Sequence, residues 1–166
     1  MRTAVALGSN LGDGLANLRA ARNAILRLPG ISPPIISSPV YETDPVDCES
    51  GAQKFLNAVL EFDYEGDPLK LLKSLREIEY ALGRPRSHRR NISRTIDIDL
   101  LYSGAMTLNG EELQLPHPRM HKRKFVLQPL ADIRPELTLP GQTNSVSQLL
   151  AELDESGEFV RLPDAW

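Results

Sequence analysis

In Arg94-Thr95-Ile96-Asp97-Ile98-Asp99-Leu100-Leu101-Tyr102, polar and apolar side chains alternate from Thr95 as far as Leu100, so Thr95 to Tyr102 reads as a β-strand with one buried face. Period two sends Ile96, Ile98 and Leu100 to a core and gathers Thr95, Asp97 and Asp99 on the opposite face. Upstream, Asp67 as an N-cap with Pro68 at the first helical position opens a helix through Leu72, Leu75, Ile78 and Leu82, which Gly83 closes. Phe55 to Asp63 alternates as a further strand, and Glu42 to Lys54 ahead of it is a polar loop. Ile35 to Tyr41 is β-rich and follows a proline pair, so it reads as another strand. Nearer the N-terminus, Asn10 and Asp13 are cap-type residues before Leu15, Leu18, Arg22, Ile25 and Leu26, a helical spacing ended by Pro29 and Gly30. Thr3 to Leu7 is a buried strand that stops at Gly8.

The order strand, helix, strand, strand, helix, strand predicts an α+β fold with a ferredoxin-like split βαβ core (βαββαβ), two helices lying on one face of an antiparallel sheet. Downstream, the turn pairs Ser103-Gly104 and Asn109-Gly110 predict a small hairpin between Met106 to Leu108 and Glu111 to Leu115. A proline-punctuated segment follows (Pro116, Pro118, Pro129, Pro135, Pro140), then a short helix near Val146 to Leu153 and a last strand at Phe159 to Leu162. No repeat, low-complexity stretch or Gly/Ser-rich linker interrupts the chain, so residues 1–166 are expected to form one domain.

The 166 residues are 41% apolar and 25% charged with a net charge of −3, within the ordinary range of water-soluble folded proteins and outside that of disordered or coiled-coil chains. A single cysteine, Cys48, excludes an internal disulfide framework and a cysteine-based zinc site, which makes a reducing cytoplasm the simplest expectation. The longest run without polar residues, Gly or Pro is Ala4 to Leu7, too short for a signal-peptide core or a membrane span. Yet nine of the 19 Lys and Arg residues fall in 84–94 and 119–124, on either side of the Asp97/Asp99 motif. That concentration in an acidic chain points to a compact anion such as a polyphosphate rather than to a nucleic-acid backbone. Two solvated basic loops are the plainer alternative.

Carboxylates two residues apart on a strand lie about 6.6 Å apart along it, a spacing that lets both grip two divalent ions held roughly 3.5–4 Å from each other. Their hard oxygen donors favour Mg²⁺. A solvent-facing strand that merely alternates explains a bare Asp-x-Asp equally well. The phosphate-binding loop G-x-x-x-x-G-K-[ST] is absent, and Gly8, Gly12 and Gly14 do not have the dinucleotide-fingerprint spacing, so side chains must hold the phosphates. His117, Arg123 and Arg84 are candidates. Glu79 stands near the C-terminal end of its helix, where the dipole disfavours an anion, which suggests either a ligand contact or an ion pair with an arginine. Phe55 and Asn57 share one strand face, a ring and an amide suited to a flat heterocycle, although a strand covered on both faces accounts for them too.

Taken together, these motifs resemble the 6-hydroxymethyl-7,8-dihydropterin pyrophosphokinase family. The resemblance is carried by Ala6-Leu7-Gly8-Ser9-Asn10-Leu11-Gly12-Asp13, Tyr41-Glu42-Thr43 with Pro45, Phe55-Leu56-Asn57-Ala58-Val59, Glu79 with Gly83-Arg84, the block Arg94 to Leu101, and Pro116-His117-Pro118 with Arg123, Phe125, Val126, Leu127, Pro129 and Leu130. It implies that Asp97 and Asp99 hold two Mg²⁺, that Arg84 and Arg94 steady the transferred group, and that Glu79, His117 and Arg123 contact ATP. It further implies a reduced pterin between Phe55 and Phe125, read along its edge by Asn57, Thr43, Pro45 and Val46, with Glu42 to Lys54 and Pro85 to Ser93 closing as loops. The chain departs from the family pattern at Asn91-Ile92-Ser93, where an aromatic-Gly-Pro run is usual, at Asp47, where Gly is common, and at Lys124 before Phe125.

The activity so implied is transfer of the β,γ-pyrophosphoryl group of ATP to a pterin hydroxymethyl oxygen, by a monomer that binds neither nucleic acid nor membrane. Rival expectations are a nucleotidyltransferase with paired aspartates, which attacks the α-phosphorus, and a non-catalytic RNA-binding module of the same topology. The second lacks the aromatic string expected on its third strand.

Overall fold

The structure is a computed structural model that describes residues 1–44, 53–83, 94–153, 158–163 and 166. Strand β1 (Arg2–Ser9) leads into helix α1 (Gly14–Ile25), whose N-cap is Asp13, its carboxylate accepting from the Ala16 N–H at 3.0 Å. Strands β2 (Ile31–Ser37), β3 (Tyr41–Thr43) and β4 (Phe55–Tyr64) follow, then helix α2 (Pro68–Ala81) with Asp67 as cap and Pro68 in the first turn. Gly83, at φ +98°, takes the left-handed turn that ends α2. Strand β5 (Asp97–Ser103) carries the Asp-x-Asp motif, and a hairpin of β6 (Leu108–Asn109) and β7 (Gln114–Leu115) comes next. A 3₁₀ turn (Met120–Lys122), α3 (Lys124–Ile133), α4 (Val146–Ala151) and β8 (Phe159–Arg161) complete the chain.

The main sheet runs β5-β1-β4-β3-β8, with β2 also paired to β4, and every pairing is antiparallel. One face carries Val5, Leu7, Ala58, Leu60, Phe62, Ile98 and Leu100, buried against Leu18, Ala21 and Ile25 of α1 and Leu71, Leu75 and Ile78 of α2. The opposite face carries Ala4, Val59, Leu101 and Tyr102, packed on Val126, Leu127 and Leu130 of α3 and Val146 and Leu149 of α4. Helices therefore cover both faces, where the sequence pattern accounted for one.

Two expectations are revised. The strand read at Ile35 to Tyr41 is two strands, β2 and β3, successive along one edge of β4, and β2 begins at Ile31 with Pro33 and Pro34 inside it. The edge strand accepts both prolines because they fall in the irregularity between Ser32 and Ile36, where the register with β4 shifts and neither is paired in the ladder. The segment read as proline-punctuated contains α3, with Pro129 in its interior. Burial of Val126, Leu127 and Leu130 outweighs the cost of that proline. The alternation that buries Ile96, Ile98 and Leu100 holds, and beyond it the register between β1 and β5 slips at Ala4/Val5, which turns both Leu101 and Tyr102 toward α3.

Candidate active site

Strand register assembles the site in rows. Asp97 is paired with Gly8, Gly8 with Asn57, and Asn57 with Tyr41, so these four residues lie side by side across the sheet. The next row is Asp99, Ala6 and Val59, and the row on the other side is Phe55 with Thr43. Because paired residues share a face, the two aspartates, Asn57, Thr43 and Phe55 all rise from the α3 side of the sheet. Gly8 keeps the middle of that face low. A Cβ there would stand 3.3 Å from Asn57 Oδ1 and 4.0 Å from the Phe55 ring.

Two arginines hold the aspartates. Arg94 Nη1 donates to Asp97 Oδ2 at 2.7 Å, and Arg123 Nη1 lies 3.3 Å from Asp99 Oδ2. His117 Nε2 is 3.9 Å from the same Asp99 oxygen. The His117 backbone N–H donates to the Leu101 carbonyl at 2.7 Å, and its Nδ1 accepts from the Arg119 N–H, so the imidazole is placed by main-chain contacts. Burial pushes the Asp99 carboxyl up from its ordinary value and the Asp97 charge adds to this, while His117, Arg123 and Arg119 oppose it. Burial likewise lowers the His117 imidazole, against the pull of Asp99. Among the described residues no group of three or more His, Cys, Asp or Glu side chains is set to hold a metal ion. Asp97 and Asp99 offer two hard oxygen donors, and further ligands would have to come from phosphate or water.

Next to the acidic row, Asn57 Nδ2 donates to Thr43 Oγ1 at 2.8 Å, with both residues buried. Phe55 is half-buried beside them, and Phe125, in the first turn of α3, is also half-buried with the Arg123 guanidinium 5.4 Å from its ring centre. Glu79 is buried, and its Oε1 accepts from the Ile98 N–H at 2.7 Å, which straps α2 to the strand that bears the aspartates. The structure thus brings Asp97, Asp99, Arg94, His117 and Arg123 together and seats Thr43, Phe55 and Asn57 on the same face. Of the loop expected over Glu42 to Lys54, Glu42 and Thr43 belong to β3, because they pair with Leu56 and Phe55 of β4. Arg84, Pro45, Val46, residues 45–52 as a whole and the loop Pro85 to Ser93 lie outside the described residues.

Sequence reasoning read Asn10 only as a cap-type residue. Asn10 Oδ1 accepts from the Arg94 N–H at 2.7 Å, its own N–H donates to the Arg94 carbonyl at 3.1 Å, and its Nδ2 donates to the Gln53 carbonyl. The end of β1 therefore fixes Arg94 from both sides. The Gly8-Ser9-Asn10 string held that signal only as part of a motif, since the partner is 84 residues away.

The sequence profile described as 7,8-dihydro-6-hydroxymethylpterin-pyrophosphokinase matches residues 4–135. The 2-amino-4-hydroxy-6-hydroxymethyldihydropteridine pyrophosphokinase of Pseudomonas aeruginosa is 40% identical over 164 residues, 99% of this chain and 98% of its own. The enzyme of the same name from Methylorubrum extorquens is 43% identical over 157 residues, 94% of this chain and 96% of its own. Among solved structures, an HPPK-DHPS chain in complex with substrates aligns over 90% of this chain with a TM-score of 0.69 and 15% identity. This chain spans 42% of that longer one, and at such identity the likeness bears on the fold. Matched along nearly its whole length, the chain belongs to the 7,8-dihydro-6-hydroxymethylpterin-pyrophosphokinase family.

Proposed function

We infer that this protein is an ATP-dependent pyrophosphokinase of folate biosynthesis, which transfers the β,γ-pyrophosphoryl group of ATP to the hydroxymethyl group of 6-hydroxymethyl-7,8-dihydropterin. The pterin oxygen forms a bond to the β-phosphorus, the bond from that phosphorus to the oxygen retained by AMP breaks, and the hydroxyl proton is released. The observation that carries the reading is one sheet face with the Asp97/Asp99 pair, ringed by Arg94, Arg123 and His117, beside Asn57, Thr43 and Phe55.

The work of the chain is alignment and charge neutralisation. Asp97 and Asp99 suit two Mg²⁺ in donor chemistry, and bound there the ions would neutralise phosphate charge. Arg94, with Arg84, is assigned to the transferred group, while Glu79, His117 and Arg123 are assigned to ATP. Arg94 and Arg123 reach phosphates by exchanging Asp97 and Asp99 for phosphate oxygens, and a forked guanidinium suits either partner. The pterin is assigned to the space between Phe55 and Phe125, its edge hydrogen-bonded by Asn57, Thr43 and the Pro45-Val46 segment.

The sheet order β5-β1-β4-β2 with α1 and α2 on one face supports a ferredoxin-like core, to which α3 and α4 add a second layer of helices. Residues 1–166 are taken as one domain acting as a cytoplasmic monomer without nucleic acid. Among the described residues no helix is long and apolar enough to cross a membrane. Incubation with ATP, MgCl₂ and the reduced pterin should yield AMP in step with pyrophosphorylated pterin. Release of ADP, release of pyrophosphate, or no pterin-dependent turnover would each overturn the reading.

A further inference from the structure

Three of the four phenylalanines, Phe55, Phe125 and Phe159, are half-buried, whereas Phe62 is fully enclosed. Phe55 and Phe125 flank the proposed pterin position. Phe159 comes from β8, near the far end of the chain, and is paired with Thr43, which is paired in turn with Phe55. Phe159, Thr43 and Phe55 therefore stand in one row on one face of the sheet.

Phe159 touches both β3, which carries Thr43, and α3, which carries Phe125. Its ring centre is 5.4 Å from that of Tyr41, two residues before Thr43 on β3, with the planes at 43°. Lys124 Nζ stands 5.3 Å from the same ring centre, and Lys124 is the first residue of α3, adjacent to Phe125. Tyr41 completes the triangle by donating its hydroxyl to Asp132 Oδ2 on α3 at 2.7 Å. Glu158, beside Phe159, pairs with Lys54 just before β4, and its N–H donates to Asp44 Oδ2 at 3.1 Å just after β3.

The first turn of α3 needs such a tie. Its N-cap residue, Arg123, makes no side-chain capping bond. Pro129 has no N–H to offer the Phe125 carbonyl four residues earlier, so the turn bearing Phe125 is short of local hydrogen bonds at both levels. A cation seated over an aromatic face supplies an attraction that does not depend on backbone geometry.

We propose that Phe159 and Lys124 are positioning residues for the pterin: their contact pins the first turn of α3 to the β3 edge and so fixes Phe125 relative to Thr43 and Phe55. This rests on the assignment of that slot to the pterin. Neither residue is required to touch the substrate.

The test compares Phe159→Leu, which keeps apolar volume but loses the ring face, Phe159→Tyr, which keeps it, Lys124→Met, and the Leu/Met double variant. Pterin affinity is read by fluorescence with a non-hydrolysable ATP analogue present, alongside analogue affinity, KM, kcat and Tm. Phe159→Leu and Lys124→Met should each weaken pterin binding roughly two- to fivefold, with KM moving more than kcat and analogue affinity little altered. Phe159→Tyr should restore binding, and the double variant should lose no more than the larger single, because both remove one contact. Unchanged pterin affinity in both singles overturns the proposal. So does equal loss of pterin and analogue affinity in parallel with Tm. Phe55→Ala separates the two layers: if it leaves pterin affinity intact the slot assignment fails, whereas loss there with intact binding in Phe159→Leu and Lys124→Met rejects only the positioning role.

Discussion

Asp97 and Asp99 are each matched to an arginine, at 2.7 Å and 3.3 Å. Each pair sets a guanidinium beside one carboxylate of the row, which offsets part of the repulsion between the two aspartates. Asp97→Asn and Asp99→Asn keep shape and remove one charge, so each should lower turnover by about 10²-fold or more while the far-ultraviolet circular dichroism stays native. Near-normal turnover at ordinary Mg²⁺ would refute their assignment as metal ligands. Period-two alternation was enough to place both on one face, and the register confirmed it. Their arginine partners could not be read the same way. Arg94 is three residues from Asp97 and Arg123 is 24 from Asp99, and nothing in the spacing tells which basic residue of two clusters turns inward.

Elements are joined by single buried contacts that local pattern does not reveal. Glu79 looked misplaced at its helix end as a charge, and the fold answers with the Ile98 N–H, a backbone donor on β5 held at 2.7 Å. Glu79→Ala leaves that buried donor unpaired, which should cost about 1–3 kcal/mol in urea unfolding and lower turnover, since β5 carries both aspartates. Glu79→Gln retains an acceptor and should recover most of the stability. If Ala and Gln variants unfold alike, the strap contributes nothing. Helix α3 shows the opposite case. Pro129 argues locally against a helix, yet the apolar spacing of Val126, Leu127 and Leu130 matches the face it buries. Tertiary packing decided in favour of the spacing, because three enclosed side chains outweigh one lost hydrogen bond and its ring clash.

Across the whole molecule, the end of the sheet remote from Asp97 is closed by Glu61, buried on β4, which is bound by Arg2 of β1, the Tyr102 hydroxyl of β5 and both carboxylate oxygens to Arg134 at the end of α3. Burial alone would raise the Glu61 carboxyl, but hydrogen bonds from Arg134, Tyr102 and Arg2 prevail and hold it below its ordinary value of 4.5. Since the folded value is the lower one, this stabilisation is complete above the unfolded value and is lost as pH falls through the folded one. Tm should therefore drop as pH falls below about 4.5, and Glu61→Gln should start lower at pH 7 and decline less over that range. Glu61→Ala should cost on the order of 3 kcal/mol at pH 7, tempered by the partial exposure of both arginines. Parallel Tm profiles for wild type and Glu61→Gln would refute the linkage. By itself the sequence determined β1, α1, β4, α2 and β5, the face on which the aspartates, Phe55 and Asn57 stand, and the family to which the motifs point, because periodicity, caps and turn residues act over a few neighbours. Only the tertiary structure decided which arginine meets which aspartate, that Asn10 fixes Arg94, that α3 and α4 cover the second face, and that β8 brings Phe159 beside Tyr41 and Lys124. Such contacts join residues far apart in the chain, 116 positions for Phe159 and Thr43, and a pairing at that distance is selected by packing of the whole sheet.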